Sequence, residues 1–273
     1  MSLSTADEPP AIPLRCDELT ESSGLATSNR NAGYFWTHND SGGLAKLYAF
    51  DARGALTGSM DLVGAKAIDW EDMASFVVDD QPRVLVADTG DNLATRVSTT
   101  LYVFDEPDPT RHTAVTSYQS IIVRYPDGPR DCEAVGVDQQ SGQIVFLTKS
   151  AILGAACYSM PLPARNSSSL HDVTLKRVGD VVIPMATAMD IDQRTGDVVV
   201  CNYFQSFLFT GRKTNSRDDW IATVPVVSEL PRLKQIEAIA FDASGQLWVT
   251  SEGSPAIMVQ LPEFELGESR EQP

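Results

Sequence analysis

Three glutamates are candidates for chemistry, because each begins a short apolar run of the same kind. Glu71 begins EDMASF, Glu133 begins EAVGVD and Glu237 begins EAIAFD. Carboxylates at the entrance to a core lose hydration and repel one another, so a fold that gathers them needs a counter-charge. Several carboxylates with amide oxygens form the all-oxygen ligand set that Ca²⁺ prefers, and Mg²⁺ is the alternative with stricter geometry.

The spacing of these runs indicates an internal repeat. Ser23 and Thr187 begin similar runs, and the five starts lie about 50 residues apart along the 273-residue chain. Each run precedes a tight turn and further β-branched or aromatic runs, a pattern typical of propeller blades. We predict an all-β protein, a single β-propeller of five blades, each a four-stranded antiparallel sheet. Six blades are the alternative, because extra chain lies between Glu71 and Glu133.

The ends of the chain suggest how the ring closes. The last repeat finishes after AIMVQLP (256–262) without an outer strand, and AIPLRCDEL (11–19) precedes the first repeat. We expect this N-terminal strand to complete the last blade, which leaves no open seam. The predicted domain therefore covers residues 11–263, with flexible segments at 1–10 and 264–273.

Propeller geometry predicts where the polar side chains meet. The start of each inner strand and the end of the second strand lie at the same end of the central channel. The predicted metal ligands at that end are Glu71, Glu133, Glu237, Asp88, Asn39 and Asn202. Candidate catalytic groups are Glu133, Glu237 and Lys149, and Lys149 is equally an ion-pair partner for a glutamate.

Other polar residues near this end have simpler interpretations. Ser23 and Thr187 are expected to solvate a water-filled channel. Asp72 is interpreted as a solvated charge that points away from Glu71, because neighbours on a strand face opposite sides. For Asp69 and Asp131 both a solvated and a functional role stay open. HNDSGG (38–43) and DTGDN (88–92) are either turns or a second cation site.

Composition restricts the partners. With 37 acidic and 21 basic residues the net charge is −16, which argues against nucleic acid and anionic membranes. No run approaches the roughly 20 apolar residues that span a bilayer. The four cysteines show no C-x-x-C spacing, so we expect no disulfide framework.

Five segments resemble a family of bacterial β-propellers that has no assigned reaction. They are ESSGLA (21–26), FWTHNDSG (35–42), LYAFD (47–51), DWEDMA (69–74) and DTGDN (88–92). More distantly the chain is similar to SdiA-regulated propellers and to the esterase-like domain of certain phytases. The resemblance implies an exported protein, in some relatives with a cation in the channel. Gluconolactonases and paraoxonases are a further comparison, which implies Glu71, Asn39, Asp88 and Asn202 as counterparts of their Ca²⁺ ligands. Those enzymes usually have six blades, and three glutamates with Lys149 are not their pattern.

The sequence is consistent with two functions. The first is a cation-binding recognition module, periplasmic or secreted and monomeric, whose ligand is a small molecule, a glycan or a protein. The first ten residues carry no export signal, which a processed start would explain. The alternative is a Ca²⁺-dependent hydrolase of lactones or phosphoesters at the same channel mouth, so enzymatic activity stays open.

Overall fold

The computed structural model describes residues 9–150, 154–165, 170–210 and 219–264. Within these ranges the chain forms 22 β-strands and one short 3-10 helix, Asp219–Ala222. The strands are arranged in five sheets, which confirms the all-β class and the five-bladed propeller. Among the described residues, no helix has the length and apolar character needed to cross a membrane. The expected flexible ends, 1–10 and 264–273, fall almost wholly outside the described residues.

Each blade is built from consecutive strands, numbered here in chain order. Blade 1 contains β2 (Ser22–Thr27), β3 (Tyr34–Asn39), β4 (Lys46–Asp51) and β5 (Leu56–Leu62). Blade 2 contains β6 (Trp70–Val78), β7 (Gln81–Asp88), β8 (Thr99–Asp105) and β10 (Gln119–Arg124). Blade 3 contains β11 (Cys132–Asp138), β12 (Gln143–Thr148), β13 (Ala155–Pro161) and β15 (Lys176–Val181). Blade 4 contains β16 (Ala188–Ile191), β17 (Val198–Cys201), β18 (Gln205–Phe209) and β19 (Val226–Glu229). Blade 5 contains β20 (Ile236–Phe241), β21 (Leu247–Ser251), β22 (Ile257–Gln260) and β1 (Ile12–Pro13).

The ring closes through the N-terminal strand, as predicted. Ile12 pairs with Met258 and Pro13 with Ile257, in antiparallel register. The Leu14 N–H donates to the Ala256 carbonyl at 2.8 Å and continues this seam. Leu14 is buried in the same hydrophobic cluster as Met258.

The extra chain between the second and third repeats does not form a sixth blade. It forms β9 (His112–Val115), which pairs in parallel with β5 of blade 1, and β10, the outer strand of blade 2. Similarly β14 (Leu170–Thr174) pairs in parallel with β10. Blades 1 and 2 therefore each have a fifth, parallel strand that the sequence did not predict, and it covers an otherwise open sheet edge.

The hydrophobic core is divided among the five blade interfaces. Side chains of a strand alternate between its two faces, so each sheet packs against both neighbouring sheets. Trp36 of blade 1 and Trp70 of blade 2 share one cluster, and Phe35 of blade 1 and Trp248 of blade 5 share another. All four cysteines are free thiols, as expected.

The inner strands of four blades begin with a β-bulge. The pairing register shifts between Trp70 and Asp72, between Cys132 and Ala134, and between Ile236 and Ala238. Blade 1 shifts in the same place, between Ser22 and Leu25. A bulged residue leaves the two-face alternation of its strand, so its side chain can turn toward the channel end. The bulged residues are Glu71, Glu133 and Glu237 in three of these blades.

Asp72 is not a solvated charge, so that interpretation was wrong. Its side chain is fully buried. Its Oδ2 accepts the N–H of Val135 at 2.9 Å and the N–H of Met189 at 3.1 Å. Its Oδ1 accepts the N–H of the next residue, Met73. One carboxylate of blade 2 thus links the inner strands of blades 3 and 4. The bulge at Glu71 explains the error, because it breaks the alternation on which the interpretation depended.

Candidate functional site

Six carboxylates gather at one end of the channel, and we call this set the acidic mouth. It consists of Asp40, Asp69, Glu71, Asp131, Glu133 and Glu237. Within it, two groups of three have ligand oxygens that all lie within 4.8 Å of one another. The first group is Asp40, Asp69 and Glu71, and the second is Glu71, Asp131 and Glu133. Glu71 belongs to both, which makes it the centre of the acidic mouth.

Loops from neighbouring blades hold these carboxylates close. Residue 41 forms a β-bridge with Asp69, and the Trp70 N–H donates to the Asp40 carbonyl at 3.2 Å. Gly90 lies directly against the two side chains, since a Cβ there would overlap Glu71 Oε1 and Asp69 Oδ2. Asp131 Oδ1 accepts the Asp91 N–H at 2.8 Å. Asp40 Oδ1 is buried and has no hydrogen-bond partner among the described residues, so one acidic oxygen is available for a ligand.

One lysine faces this group of acids. Lys149 Nζ lies 2.6 Å from Glu133 Oε1 and 2.8 Å from the Tyr203 hydroxyl oxygen. The pKa of Lys149 is raised, because the Glu133 carboxylate outweighs the cost of burying the ammonium group. Lys149 therefore stays charged and neutralises one member of the acidic mouth.

Burial and mutual repulsion raise the pKa of acids in the acidic mouth, Glu133 included. Burial, then the charge of Asp69, raises the pKa of Asp40 to about 7. Burial, then Glu252, raises the pKa of Glu237 to about 7. Burial raises the pKa of Glu133 to about 8 although Lys149 opposes the shift. The pKa of Glu71 lies well above its usual range because of burial and the charge of Glu133. These shifts show that the charged form of the acidic mouth lacks compensation.

The other predicted ligands lie near this end but are engaged in hydrogen bonds or ion pairs with neighbouring protein groups. Asp88 forms an ion pair with Arg96 at 2.7 Å and accepts the Ile68 N–H. Asn39 Oδ1 accepts the N–H groups of Thr20 and Glu21 at 2.9 and 3.1 Å.

The predicted ligand Asn202 bonds the backbone of the turn that follows it. Its Oδ1 accepts the N–H groups of Phe204 and Gln205 at 2.9 and 2.8 Å. Such contacts are those of turn-stabilising side chains. The structure thus brings Glu71 and Glu133 into one group of ligand oxygens with Asp131. Asp88, Asn39 and Asn202 lie outside both groups.

Sequence reasoning left Asp69 and Asp131 undecided, although a signal was present. Each lies two residues before a bulged glutamate, in Asp69-Trp-Glu71 and Asp131-Cys-Glu133. This Asp-x-Glu spacing recurs in two neighbouring blades and in no other blade start. Because the bulge inserts a residue, the two carboxylates of each pair lie at the same channel end. The recurrence of the spacing therefore distinguishes these aspartates from ordinary loop charges.

The opposite end of the channel is different. A cavity of about 180 Å³ lies there, and it is lined by Thr27, Ser75, Asp190 and Phe241 among others. Its polar groups bond to one another: Thr27 Oγ1 donates to the Phe241 carbonyl at 2.9 Å, and Ser75 Oγ donates to the Thr27 carbonyl at 2.6 Å. Asp190 accepts the Phe241 N–H at 2.8 Å. Neither group of three carboxylates lies at this end, so the clustered acids of the described residues are those of the acidic mouth.

Comparison with solved structures finds similar folds at low sequence identity. A glucose dehydrogenase matches with a TM-score of 0.53 and 13% identity, over 93% of this chain and 99% of that chain. The soluble aldose sugar dehydrogenase of Escherichia coli matches at 0.50 and 12%, over 93% and 99%. A chain of a nidogen–laminin complex matches at 0.50 and 9%, over 85% and 72%. These likenesses show the β-propeller fold alone. No protein-family model and no curated protein matches the sequence.

Proposed function

We propose that the protein is a divalent-cation-binding β-propeller that recognises a ligand at its acidic mouth. The observation that carries this proposal is the pair of three-carboxylate groups that share Glu71, with ligand oxygens within 4.8 Å. The donors are all oxygens, the set that Ca²⁺ prefers, and Mg²⁺ is the alternative ion. The partnerless Asp40 Oδ1 supports the same conclusion, since a buried acidic oxygen is costly without a partner.

Within this proposal, the residues that would hold the ion are those of the two groups. Asp40, Asp69, Glu71 and Asp131 supply carboxylates, and Glu133 is shared with Lys149. Glu237 would act from a greater distance: its charge raises the pKa of both Asp40 and Glu133. We place the function outside the cytoplasm, periplasmic or secreted, on the resemblance of the first hundred residues to exported propellers.

Calcium should therefore stabilise the fold. A ligand that binds only the native state at a hundredfold excess over its Kd contributes roughly 2.7 kcal/mol. We expect millimolar Ca²⁺ to raise Tm by about 5 °C relative to a chelator. Thermal melts followed by circular dichroism, with elemental analysis of the dialysed protein, measure this.

The substitution Glu71→Gln should remove most of the calcium response, because Glu71 belongs to both groups. In chelator the same variant should be at least as stable as the wild type, since it removes one repelling charge. Glu229→Gln is the matched control, an exposed glutamate on β19 that should respond like the wild type. Equal melting of the wild type in calcium and chelator, with no retained metal, would exclude the cation site.

A second function is favoured by one observation. Glu133, with a pKa of about 8, lies beside Lys149 and the Tyr203 hydroxyl. A carboxylate with a pKa near neutrality is a suitable general base, and a divalent ion at the acidic mouth would polarise a carbonyl or phosphoryl oxygen. Glu133 would then take a proton from water as the water oxygen attacks the lactone carbonyl carbon or the phosphorus. The C–O or P–O ester bond would break, and the leaving oxygen would take the proton back from Glu133. Glu237, with a pKa of about 7, is the second candidate for the base.

Hydrolase activity is tested with a panel of small lactones and phosphoesters. If Glu133 is the base, wild-type turnover requires Ca²⁺, and Glu133→Gln lowers kcat by about 100-fold or more. Glu229→Gln is again the control. Absence of turnover on every substrate, in a protein whose melting responds to calcium, would leave recognition as the function.

A further inference from the structure

Four exposed apolar side chains lie in loops at the end of the propeller that carries the acidic mouth. Leu44 is 78% exposed, Ile68 54%, Leu93 83% and Phe204 70%. We call these four residues the apolar rim. They lie on four different loops, and all four loops are at the same end of the propeller as the carboxylates.

The distribution of exposed apolar residues is strongly uneven. Among the described residues, ten large hydrophobic side chains are exposed. Seven lie in loops at the end of the acidic mouth: Leu44, Val63, Ile68, Leu93, Val97, Val182 and Phe204. The others are Leu56, Val224 and Val227. Single exposed hydrophobic residues are ordinary, but a concentration of them on one face marks an interaction site.

Two members of the apolar rim lie in the loops that carry Asp69 and Asp40. Ile68 precedes Asp69, and its N–H donates to Asp88 Oδ2 at 3.3 Å. Leu44 follows Asp40 in the loop whose residue 41 bridges to Asp69. These loops therefore carry a carboxylate and an exposed apolar side chain together.

The other two members are tied to the second carboxylate group. Leu93 lies on the loop in which the Asp91 N–H bonds Asp131 Oδ1 at 2.8 Å. Phe204 contacts the Tyr203 ring, with 6.3 Å between ring centroids. The Tyr203 hydroxyl in turn bonds Lys149 beside Glu133. The contacts that hold the acidic mouth therefore also tie to it the loops that carry the apolar rim.

We infer that the acidic mouth and the apolar rim together dock a polypeptide segment in which a lysine or arginine lies between apolar residues. This deepens the proposed function, on which it rests, by naming the partner class. Charge complementarity carries the inference: when a cation draws the protons from the six acids, their charge exceeds that of Lys149 and one divalent ion. A basic side chain has a long apolar stem and a charged end, so it can enter the acidic mouth while its neighbours cover the rim.

Charge argues against two other occupants. An anionic membrane would be repelled by the acidic mouth and by the net charge of −16. A second copy docked through this face would place one acidic mouth against another. A polypeptide with a basic side chain between apolar residues satisfies both features, because charge complementarity orients it and its apolar neighbours leave water on docking.

The test is a selection of peptides from a random dodecapeptide library on the immobilised full chain in millimolar Ca²⁺. Enriched sequences should contain a lysine or arginine flanked by apolar residues. Their Kd, measured by fluorescence anisotropy, should rise about tenfold or more in the double variant Leu93→Ser/Phe204→Ser. Val224→Ser is the control, a residue 92% exposed at the opposite end of the propeller. Replacing the basic residue of the peptide by glutamate should abolish binding, and added salt should weaken it.

Each result decides the inference. It is overturned if no peptide is enriched, if the enriched peptides lack a basic residue, or if the double variant binds them as the wild type does. The calcium response of the wild type, measured separately by melting, tests the proposed cation site. If the protein shows no calcium response but binds peptides through the apolar rim, the docking surface is retained and the cation site is rejected. If melting responds to calcium but no peptide binds through the rim, only the docking surface is rejected.

Discussion

Asp72→Ala should lower the free energy of unfolding by about 3–5 kcal/mol. The substitution leaves the buried N–H groups of Val135 and Met189 without an acceptor. Each unsatisfied buried donor costs about 1–3 kcal/mol, and the two donors belong to the inner strands of two different blades. The effect should therefore exceed that of an ordinary polar substitution. Urea denaturation in the presence of a chelator measures it without a contribution from metal.

Two further variants make this result interpretable. Asp72→Asn retains one acceptor oxygen but also presents an amide donor, so it should lose less stability than the alanine variant. Asp61→Ala removes an exposed aspartate on β5 and should change stability by no more than about 0.5 kcal/mol. If Asp72→Ala matched Asp61→Ala, the link from blade 2 to blades 3 and 4 would have no energetic role.

The stability of the metal-free protein should fall as the pH rises from about 5 to 8. In the unfolded chain these acids titrate near pH 4, whereas burial raises the pKa of Asp40 and Glu237 to about 7 and that of Glu133 to about 8. The folded state therefore holds more protons than the unfolded state in this window. Stability from these groups is fully present below pH 4 and is lost as the pH rises through the folded pKa values.

Calcium should reverse most of this loss, because binding requires ionised carboxylates and grows stronger as they lose protons. The difference in Tm between calcium and chelator should thus be small at pH 5 and should widen toward pH 8. In Glu71→Gln the two melting curves should stay close at every pH. A calcium effect that is constant across the window would contradict the assignment of the ion to these carboxylates. Asp190, whose pKa is about 7 because of burial at the opposite channel end, contributes equally with and without calcium.

The architecture was predictable from the sequence because each blade of a propeller repeats a similar pattern of strands and turns. Recurring glutamate or hydroxyl residues marked the inner strands, and the missing last strand identified the N-terminal segment as the one that closes the ring. The parallel strands β9 and β14 were not predictable in this way. A strand added to a neighbouring blade has no counterpart in the repeat, so periodicity does not reveal its partner.

The site was predictable only in part. Glu71 and Glu133 followed from the blade starts, but Asp88, Asn39 and Asn202 were chosen by their positions at strand ends. Position does not show whether a side chain faces a ligand or the backbone. Asn202 accepts N–H groups of the turn that follows it, and Asn39 bonds the segment that precedes β2. Asp72 was misread because the alternation rule fails at a bulge, and a bulge has no reliable signature in a single sequence.

The seam at β1 and β22 has a consequence for the order of events during biosynthesis. Ile12 and Pro13 are made first among the strands, yet their partners Met258 and Ile257 belong to the last strand described. A ribosome releases the N-terminal segment long before that partner exists, so the first strand must stay unpaired while the other blades form. The apolar surface that Leu14 and Leu19 later bury is exposed throughout this interval. Closure of the ring is therefore a late event that follows the synthesis of β22, and pairing of such distant segments makes folding slow.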